Sequence, residues 1–294
     1  VSYEDQSYEY IHWGTFVVDN ESVEYSIEKN STRLTAYDLL VKTHIQYDLQ
    51  IVYPITVKEF LLKICERFGF TLINDSFIND SQILNSEKYI DIGEVTFRDV
   101  LDQIAGCTAS IIYIYDNQLQ LKYPTDINYV IDEHNMKSMN IQNKFGPINS
   151  VVLARVPQED NYFKQDEISI SQNGLTEIKL ANNEIMDKNR ENFIEEIFNQ
   201  VNGFYFYPYE ISTFGFCWFE PCDIVTIKDL SGHEYQTIIL NDTITITTGI
   251  TETLYLERPE TATTDYSTAT SSEKELHNTQ LVVDKQNKVI RAEI

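Results

Sequence analysis

The second half of the chain is a succession of short segments in which apolar and polar residues alternate, and this pattern limits the fold more than any other feature. Alternation with a period of two is typical of half-buried β-strands. The predicted strands are residues 150–155, 167–171, 176–180, 223–227, 235–240, 243–247 and 251–257. One helix interrupts them, with an apolar stripe from Phe193 to Val201 and Gly203 at its C-terminal end. The combination predicts a β-barrel with an inserted helix over residues 132–259.

The preceding segment, residues 49–131, carries two amphipathic helices with the same start signal. Thr56 and Thr96 are predicted N-cap residues, and an acid follows each of them three residues later, Glu59 and Asp99. This spacing makes a capping box. A hairpin follows the second helix, so we predict an α/β segment here. The likeness of the two helices fits a small internal duplication, and it fits equally the convergence of capped helices on one pattern.

The two ends of the chain have simpler patterns. Residues 13–36 contain predicted strands, and residues 37–42 lose the alternation and are predicted to form a short helix. Residues 260–279 are rich in Thr and Ser and have almost nothing to bury, which is typical of a linker. Because the chain begins at Val1 without a Met, we expect that an upstream stretch is missing.

The charge balance argues against several classes of partner. The chain has 46 acidic and 22 basic residues, a net charge of -24 and an isoelectric point of about 4.4. Such a surface repels phosphate, which disfavours specific binding of DNA or RNA and binding to anionic membranes. Solubility alone is the commoner reason for an acidic composition. No apolar run approaches the length of a membrane span, so we expect no contact with a membrane.

No motif predicts a catalytic, cofactor or metal site. The five histidines form none of the spacings of zinc sites, and the sequence has no nucleophile elbow and no glycine-rich phosphate loop. Adjacent acids such as Glu195 and Glu196 could in principle cleave a glycoside, but on an acidic protein such pairs are usually solvated. Residues 74–76 and 79–81 lack the rest of a calcium-loop pattern and are interpreted as turns. We therefore predict a protein that is not an enzyme.

The four cysteines are expected to be reduced thiols in a protein made in a cytoplasm. Cys65 and Cys107 lie in helical, apolar patterns and are predicted to be small buried hydrophobic residues. Cys217 and Cys222 are spaced too widely for a CxxC pair. One of them could serve as a thiol nucleophile with a distant histidine, but packing beside Trp218 is the favoured interpretation.

Several stretches, taken in their order along the chain, carry a family resemblance. They are Trp13-Gly-Thr-Phe-Val-Val-Asp19 with Leu34-Thr-Ala-Tyr-Asp38, Val95-Thr-Phe-Arg-Asp-Val-Leu-Asp-Gln-Ile-Ala105, Ser150-Val-Val-Leu-Ala-Arg-Val-Pro-Gln-Glu-Asp-Asn161, Trp218-Phe-Glu-Pro-Cys-Asp-Ile-Val-Thr-Ile227 and Leu281-Val-Val-Asp-Lys-Gln-Asn287. Together they resemble the tail hub proteins of phages and prophages of Gram-positive bacteria. These are the tail-associated minor structural proteins, some of which are described as tail endopeptidases. The resemblance covers nearly the whole chain, and its weight comes from the order of the stretches.

The resemblance implies an α+β, mainly β fold with two related β-barrels, an inserted α/β segment and a C-terminal linker. The first barrel is expected to be incomplete at its start. The implied domains are strands and a short helix of the first barrel at 1–48, the inserted α/β domain at 49–131, the second barrel with one inserted helix at 132–259, and a linker with the start of a stalk or downstream module at 260–294.

The implied function is that of a virion component, the hub of a baseplate or tail tip. Three copies would form a ring that closes the tail tube and connects it to a spike, fibre or lysin beyond the C-terminus. Two similar barrels in each copy would match a sixfold tube to a threefold spike. The implied partners are two further copies, the tail tube and distal tail or baseplate proteins. DNA would pass only in transit, and we expect part of the negative charge to line the channel and repel it.

Two segments are candidate interfaces. The residues expected at contacts are Arg155, Pro157, Gln158, Glu159, Asp160, Tyr205 and Tyr207. The first five lie in a loop that could equally be an ordinary strand end, and the two tyrosines lie in an aromatic run that also fits a core strand. Two other functions stay open. One is a tail-associated cell-wall hydrolase, whose activity we would expect in a module downstream of this segment, and the other is a host receptor-binding module.

Overall fold

The computed structural model describes residues 12–28, 30–85, 95–154, 162–181, 183–187, 189–247 and 249–257, and the backbone of residues 290–293. Over these ranges the chain is mainly β with several helices, which confirms the coarser part of the predicted fold class and not its two barrels.

The strands are short and are numbered in chain order. They are β1 (Phe16–Ser26), β2 (Ser31–Asp38), β3 (Ile55–Thr56), β4 (Thr71–Leu72), β5 (Ile83–Leu84), β6 (Ile111–Tyr115), β7 (Gln118–Lys122), β8 (Thr125–Ile131), β9 (Met136–Ile141), β10 (Ser150–Ala154), β11 (Tyr162–Gln165), β12 (Glu177–Ala181), β13 (Tyr209–Thr213), β14 (Asp223–Lys228), β15 (Glu234–Ile238), β16 (Asn241–Ile246), β17 (Ile250–Leu256) and β18 (Ile290–Glu293). The helices are α1 (Val57–Phe68), α2 (Phe97–Cys107), α3 (Glu167–Asn173), α4 (Glu184–Asp187) and α5 (Arg190–Val201), with a 3-10 helix at Leu39–Thr43.

Strands β1 and β2 form a long antiparallel ribbon. Their register shifts between Asp19 and Glu24, so β1 continues through a bend that the sequence pattern divides into two strands. Asp38 caps the 3-10 helix, because its carboxylate accepts from the Leu40 amide at 2.9 Å. The backbone of β18 pairs antiparallel with β2. The strands and the short helix predicted for this region are therefore confirmed.

Helices α1 and α2 begin with the two predicted capping boxes. The Thr56 hydroxyl accepts from the Glu59 amide at 3.1 Å, and the Glu59 carboxylate accepts from the Thr56 amide at 2.9 Å. Thr96 and Asp99 make the same two bonds at 3.2 and 2.8 Å. Each box satisfies amides that the first turn of a helix leaves without partners inside the helix. Gly69, at a φ of 70°, ends α1 in the left-handed conformation that glycine adopts without strain.

The two capped helices pack with the hairpin β6–β7, and α4, α5 and β10 join them from later in the chain. We call this the helical core. Its fully buried residues include Val57, Phe60, Leu61, Ile64, Phe97, Val100, Leu101, Ile104, Leu119, Ile185 and Phe193. The Asn79 side-chain amide donates to the Cys107 carbonyl at 2.7 Å and to the Phe193 carbonyl at 3.2 Å. One buried side chain thus joins the end of α2 to α5.

The strand predicted over residues 167–171 is wrong, because the segment forms helix α3. The Asp166 carboxylate accepts from the amides of Ile168 and Ser169, each at 3.0 Å, and Gly174 follows the last turn. Ile168 is exposed, so the alternation does not mark a buried face. Over so few residues an alternating pattern fits a strand or a helix, and here the cap at Asp166 decides.

Two sheets enclose a second core, which we call the sheet core. The four-stranded sheet has the order β16-β17-β13-β9, and its pairs are antiparallel. In the three-stranded sheet, β14 pairs antiparallel with β15 and parallel with β8. The fully buried residues between the sheets include Ile131, Ile211, Val225, Ile227, Ile239 and Leu254. Within the described ranges the two sheets stay open and form no closed barrel.

Smaller sheets complete the described chain. Strand β10 lies between β11, which is antiparallel to it, and β12, which is parallel. Strand β7 pairs with β6 and β4, and β3 pairs with β5. A search of the described helices finds no span with the length and apolarity needed to traverse a bilayer.

Candidate functional site

The structure describes two of the seven predicted interface residues. Tyr205 and Tyr207 lie on the segment that connects α5 to β13. The loop with Arg155, Pro157, Gln158, Glu159 and Asp160 lies outside the described residues. The interface at that loop stays a prediction. The candidate site consists of the two tyrosines with their neighbours and of a second surface that the sequence did not single out.

The segment with the two tyrosines has one face in the sheet core and one face outside it. Phe206 is buried and pairs with Phe145, with ring centroids 5.2 Å apart. The tyrosines on either side point the other way, and Tyr205 is 39% exposed. Gly146 allows this approach, because a Cβ at its φ of 99° would lie 2.7 Å from the Phe204 carbonyl oxygen. The residues of the aromatic run therefore alternate between core and surface, and the interface predicted at Tyr205 and Tyr207 stays a prediction.

The exposed face carries a row of tyrosines, Tyr205, Tyr207 and Tyr235, which we call the tyrosine row. The ring centroids of the first two are 6.5 Å apart, and those of the last two are 5.2 Å apart, both in edge-on geometry. The Lys144 amine lies 4.8 Å over the Tyr205 ring, and the Tyr235 hydroxyl donates to the Asp229 carboxylate at 3.2 Å. Aromatic rings with a polar tip and a cation are the composition of many protein interfaces.

A second aromatic surface lies at one end of the sheet core, on residues 214–219, which we call the aromatic loop. Phe214 and Trp218 on this loop are 57% and 55% exposed. Phe216 packs inward against Tyr129 at 5.2 Å between ring centroids. The Trp13 indole donates to the Cys217 carbonyl at 3.1 Å, which brings the other tryptophan of the chain to the same surface. The dense aromatic run around a glycine was the sequence signal for this surface.

A completely buried carboxylate holds the aromatic loop from beneath. Glu252, on β17, accepts from the Thr213 hydroxyl at 3.0 Å and from the Phe216 amide at 2.8 Å, and its other oxygen accepts from the Cys217 amide at 3.3 Å. A buried charge is tolerated only when donors surround it. The conformation of the loop depends on this acceptor, because Gly215 and Cys217 both have positive φ angles, 91° and 60°.

Asp242, on the neighbouring strand β16, completes this arrangement. The strand register pairs Asp242 with Leu254, which places it on the same face of the sheet as Glu252. As a residue it is exposed, because β16 is an outer strand of the sheet, but its carboxyl is directed towards Glu252. Partial burial, then the charge of Glu252 and the hydrogen bond between the two groups, raise the pKa of Asp242 to about 8.

The cysteines are poorly placed for nucleophilic chemistry. All four are free and buried, as predicted for Cys65 and Cys107. Burial, followed by the charges of Glu252 and Asp242, raises the pKa of Cys217. Burial raises the pKa of Cys222 to about 11. A nucleophilic thiol needs the opposite shift, because the thiolate is the reactive form.

The other titratable groups of interest are exposed ion pairs. His12 lies 3.1 Å from both oxygens of Asp116, and hydrogen bonds from Thr15 and then from His12 lower the pKa of that carboxyl. The Thr15 hydroxyl donates to the carboxylate, so it is not aligned with the imidazole as a nucleophile with its base. Glu195 and Glu196 are both exposed on α5. In the part of the chain that the structure describes, no three His, Cys, Asp or Glu residues gather as metal ligands.

A shallow cavity of about 270 Å³ lies on the outer face of the four-stranded sheet. Its lining residues are Ser138, Met139, Asn140, Glu210, Ser212 and Thr253. Glu210 is the one carboxylate among them, and the lining includes no histidine or cysteine.

No protein-family model matches the chain, and no curated protein matches it. Among solved structures it is similar to prophage tail protein gp18 from Listeria monocytogenes EGD-e, with a TM-score of 0.54 and 14% identity over 85% of this chain and 79% of that one. It is also similar to the tail protein from Neisseria meningitidis MC58, with a TM-score of 0.52 and 15% identity over 84% and 80% of the two chains. The chain therefore shares its fold with phage tail proteins.

Proposed function

We propose that this chain is a structural protein of a phage tail, the hub of a baseplate or tail tip in a phage or prophage of a Gram-positive bacterium. The observation that carries the proposal is the fold, which is shared with two tail proteins over most of each chain. Because one fold can serve several functions, the order of the sequence motifs from Trp13 to Asn287 is the second support.

In the proposed assembly, three copies form a ring that closes the tail tube and connects it to a spike, fibre or lysin. The two open sheets of the sheet core would belong to one barrel of each copy, and the β1–β2 ribbon to a related barrel that is incomplete at its start. Two similar barrels in three copies give six similar positions for a sixfold tube and three for a spike. A closed ring of this kind needs contacts between different faces of neighbouring copies.

The tyrosine row is our proposed contact between copies. The hydroxyls of Tyr205 and Tyr207 and the Lys144 amine are its donors towards a partner, and a neighbouring copy with a net charge of -24 presents many carboxylate acceptors. Donors aimed at carboxylates make the stronger class of hydrogen bond. The loop with Arg155, Pro157, Gln158, Glu159 and Asp160 is the second proposed contact.

Part of the negative charge is proposed to line the central channel. DNA in transit would then be repelled by carboxylates and would not adhere to the wall. A particle map in which acidic residues face outward around a neutral or basic channel would contradict this part of the proposal.

The mass of the full chain in solution, measured by native mass spectrometry over a range of concentrations, tests the ring. We expect a species of three copies, and we expect the variant with Tyr205→Ala and Tyr207→Ala to dissociate at concentrations at which the wild type does not. Tyr255→Ala is the matched control, because Tyr255 is 37% exposed, close to the 39% of Tyr205, and lies on another strand. Lys144→Glu is expected to weaken the ring in the same way.

Two outcomes would replace the proposal. A monomer that cleaves purified cell wall would favour the tail-associated hydrolase. A monomer that binds intact host cells through this segment would favour the receptor-binding module. A three-copy species that neither the tyrosine variant nor Lys144→Glu weakens would keep the ring and overturn the assigned contact.

A further inference from the structure

The hydrogen bonds that hold the aromatic loop, residues 214–219, meet at the carboxylate of Glu252. Three donors from the loop and from the end of β13 converge on Glu252, at 2.8 to 3.3 Å. The Thr213 hydroxyl also accepts from the Gly215 amide at 3.2 Å, so the first residues of the loop depend indirectly on the same carboxylate. Two residues of the loop lie in the left-handed region, so the bonds to Glu252 act together with the packing of Phe216 against Tyr129 and the bond from the Trp13 indole to keep this conformation.

The groups that face Glu252 come from every strand around it. Among the described residues they are Asp242 on β16, Tyr129 on β8, Tyr209 on β13 and Cys217 on the loop. Burial is the first cause of a raised pKa in the two tyrosines and in the cysteine, so these three stay neutral beyond the range in which a carboxyl titrates. Lys137 bonds to Thr251 at 2.7 Å, and Thr251 points to the opposite face of β17 from Glu252. Asp242 is therefore the neighbour whose charge can change first.

We propose that Asp242 and Glu252 share one proton and that this proton keeps the aromatic loop in its observed conformation. With the proton present, the Asp242 carboxyl donates to Glu252, beside the three donors from the loop and from the end of β13. When the proton leaves to solvent, two carboxylates on adjacent strands repel each other. The repulsion moves Glu252 away from the loop amides, and the loop with Phe214 and Trp218 is released. This inference concerns the loop alone and does not depend on the proposed ring.

The chain contains its own reporter for this change. It has two tryptophans, of which Trp218 lies on the loop and Trp13 donates to the loop carbonyl of Cys217. Tryptophan fluorescence of the full chain therefore reports on the loop and on the contact that Trp13 makes with it. The titration runs from roughly pH 6 to roughly pH 9, below the ionisation of ordinary tyrosines at about 10.

We expect the wild-type emission to change in one step centred near pH 8, the raised pKa of Asp242. Asp242→Asn keeps a donor to Glu252 at every pH, so this variant should hold the low-pH emission across the whole range. Asp75→Asn, at an exposed turn beside the helical core, is the matched control and should titrate like the wild type. An unchanging wild type, or a step that Asp242→Asn retains, overturns the proposal.

Hydrogen exchange of the Phe216 and Cys217 amides gives a second measurement that does not rest on emission. At pH 9 we expect about tenfold faster exchange in the wild type than in Asp242→Asn, because these amides lose their acceptor. Comparing both proteins at one pH removes the intrinsic effect of hydroxide on exchange. Equal rates at the two amides, with both proteins folded by circular dichroism, would show that the proton does not control the loop.

Discussion

The helical core and the sheet core use polar groups in different ways. In the helical core, side-chain carboxylates lie at the surface and bond to amides three residues away in the chain, as in the boxes at Thr56 and Thr96. In the sheet core, the carboxylate of Glu252 is buried and bonds to amides 35 and 36 residues away. The first use stabilises one element, whereas the second fixes how a loop lies on two sheets. We therefore expect the free energy of unfolding to fall by different amounts when a local cap is removed and when the buried carboxylate is removed.

Loss of a fully buried ring in the helical core is the largest expected effect. Phe97→Ala should lower the free energy of unfolding by about 3–5 kcal/mol, through lost apolar burial and the cavity that remains. Urea unfolding followed both by circular dichroism and by tryptophan fluorescence checks this. Val201 packs against both cores, so we expect the two signals to shift together. A shift confined to the helical signal would mean that the two cores unfold separately.

Loss of the buried carboxylate is the next largest effect. Glu252→Ala leaves the Thr213 hydroxyl and two loop amides without their acceptor, which should lower the free energy of unfolding by about 2–3 kcal/mol. Glu210→Ala, at an exposed glutamate on the adjacent strand β13, is the control and should change little. If both variants unfold at the same urea concentration as the wild type, the buried carboxylate contributes nothing to the sheet core.

Loss of a helix cap should lower the free energy of unfolding by less than loss of the buried carboxylate. Thr56→Ala and Thr96→Ala each remove the hydroxyl that accepts from the first turn, and each should lower the free energy of unfolding by about 1 kcal/mol. Because the two boxes have the same geometry, we expect similar costs from thermal or urea unfolding. A cost at Thr56 or Thr96 as large as that of Glu252→Ala would remove the distinction between a local cap and a buried charge.

The smallest effect depends on pH. The folded chain holds the Asp242 proton up to a raised pKa of about 8, whereas an unfolded aspartate loses it near about 4. Stability therefore falls as the pH rises between these two values, and Asp242→Asn removes this fall. Because that fall is absent in Asp242→Asn, we expect the variant to gain stability relative to the wild type as the pH rises from 5 to 9. Urea unfolding at pH 5 and pH 9 checks the sign, and a variant that gains no stability relative to the wild type between these two pH values would contradict it.

Features that depend on nearby residues could be predicted from the sequence. The capping boxes, the end of α1 at Gly69 and the hairpin β6–β7 each rest on a few consecutive residues. The sequence pattern does not predict helix α3, because the alternation of Ile168 and Ile170 also fits a strand and the local signal of the helix is the cap at Asp166.

The candidate site was harder to predict because it is formed by residues far apart in the chain. The alternation of β17 places Glu252 on the face of Leu254 and Leu256, which was the available signal of a buried acid. No pattern of neighbouring residues shows that two loop amides and Asp242 lie next to Glu252 on that face. The composition of the aromatic run predicts an interface at Tyr205 and Tyr207. The alternation around Phe206 is what separates their exposed face from the core.

The position of α5 in the helical core has a consequence for synthesis. Phe193 meets Asn79 across 114 positions of the chain, so α1 and α2 leave the ribosome long before the helix that covers them. During that interval the nascent protein presents an apolar surface to the cytosol, where chaperones bind such surfaces. Many contacts of this range also slow the search for the native topology.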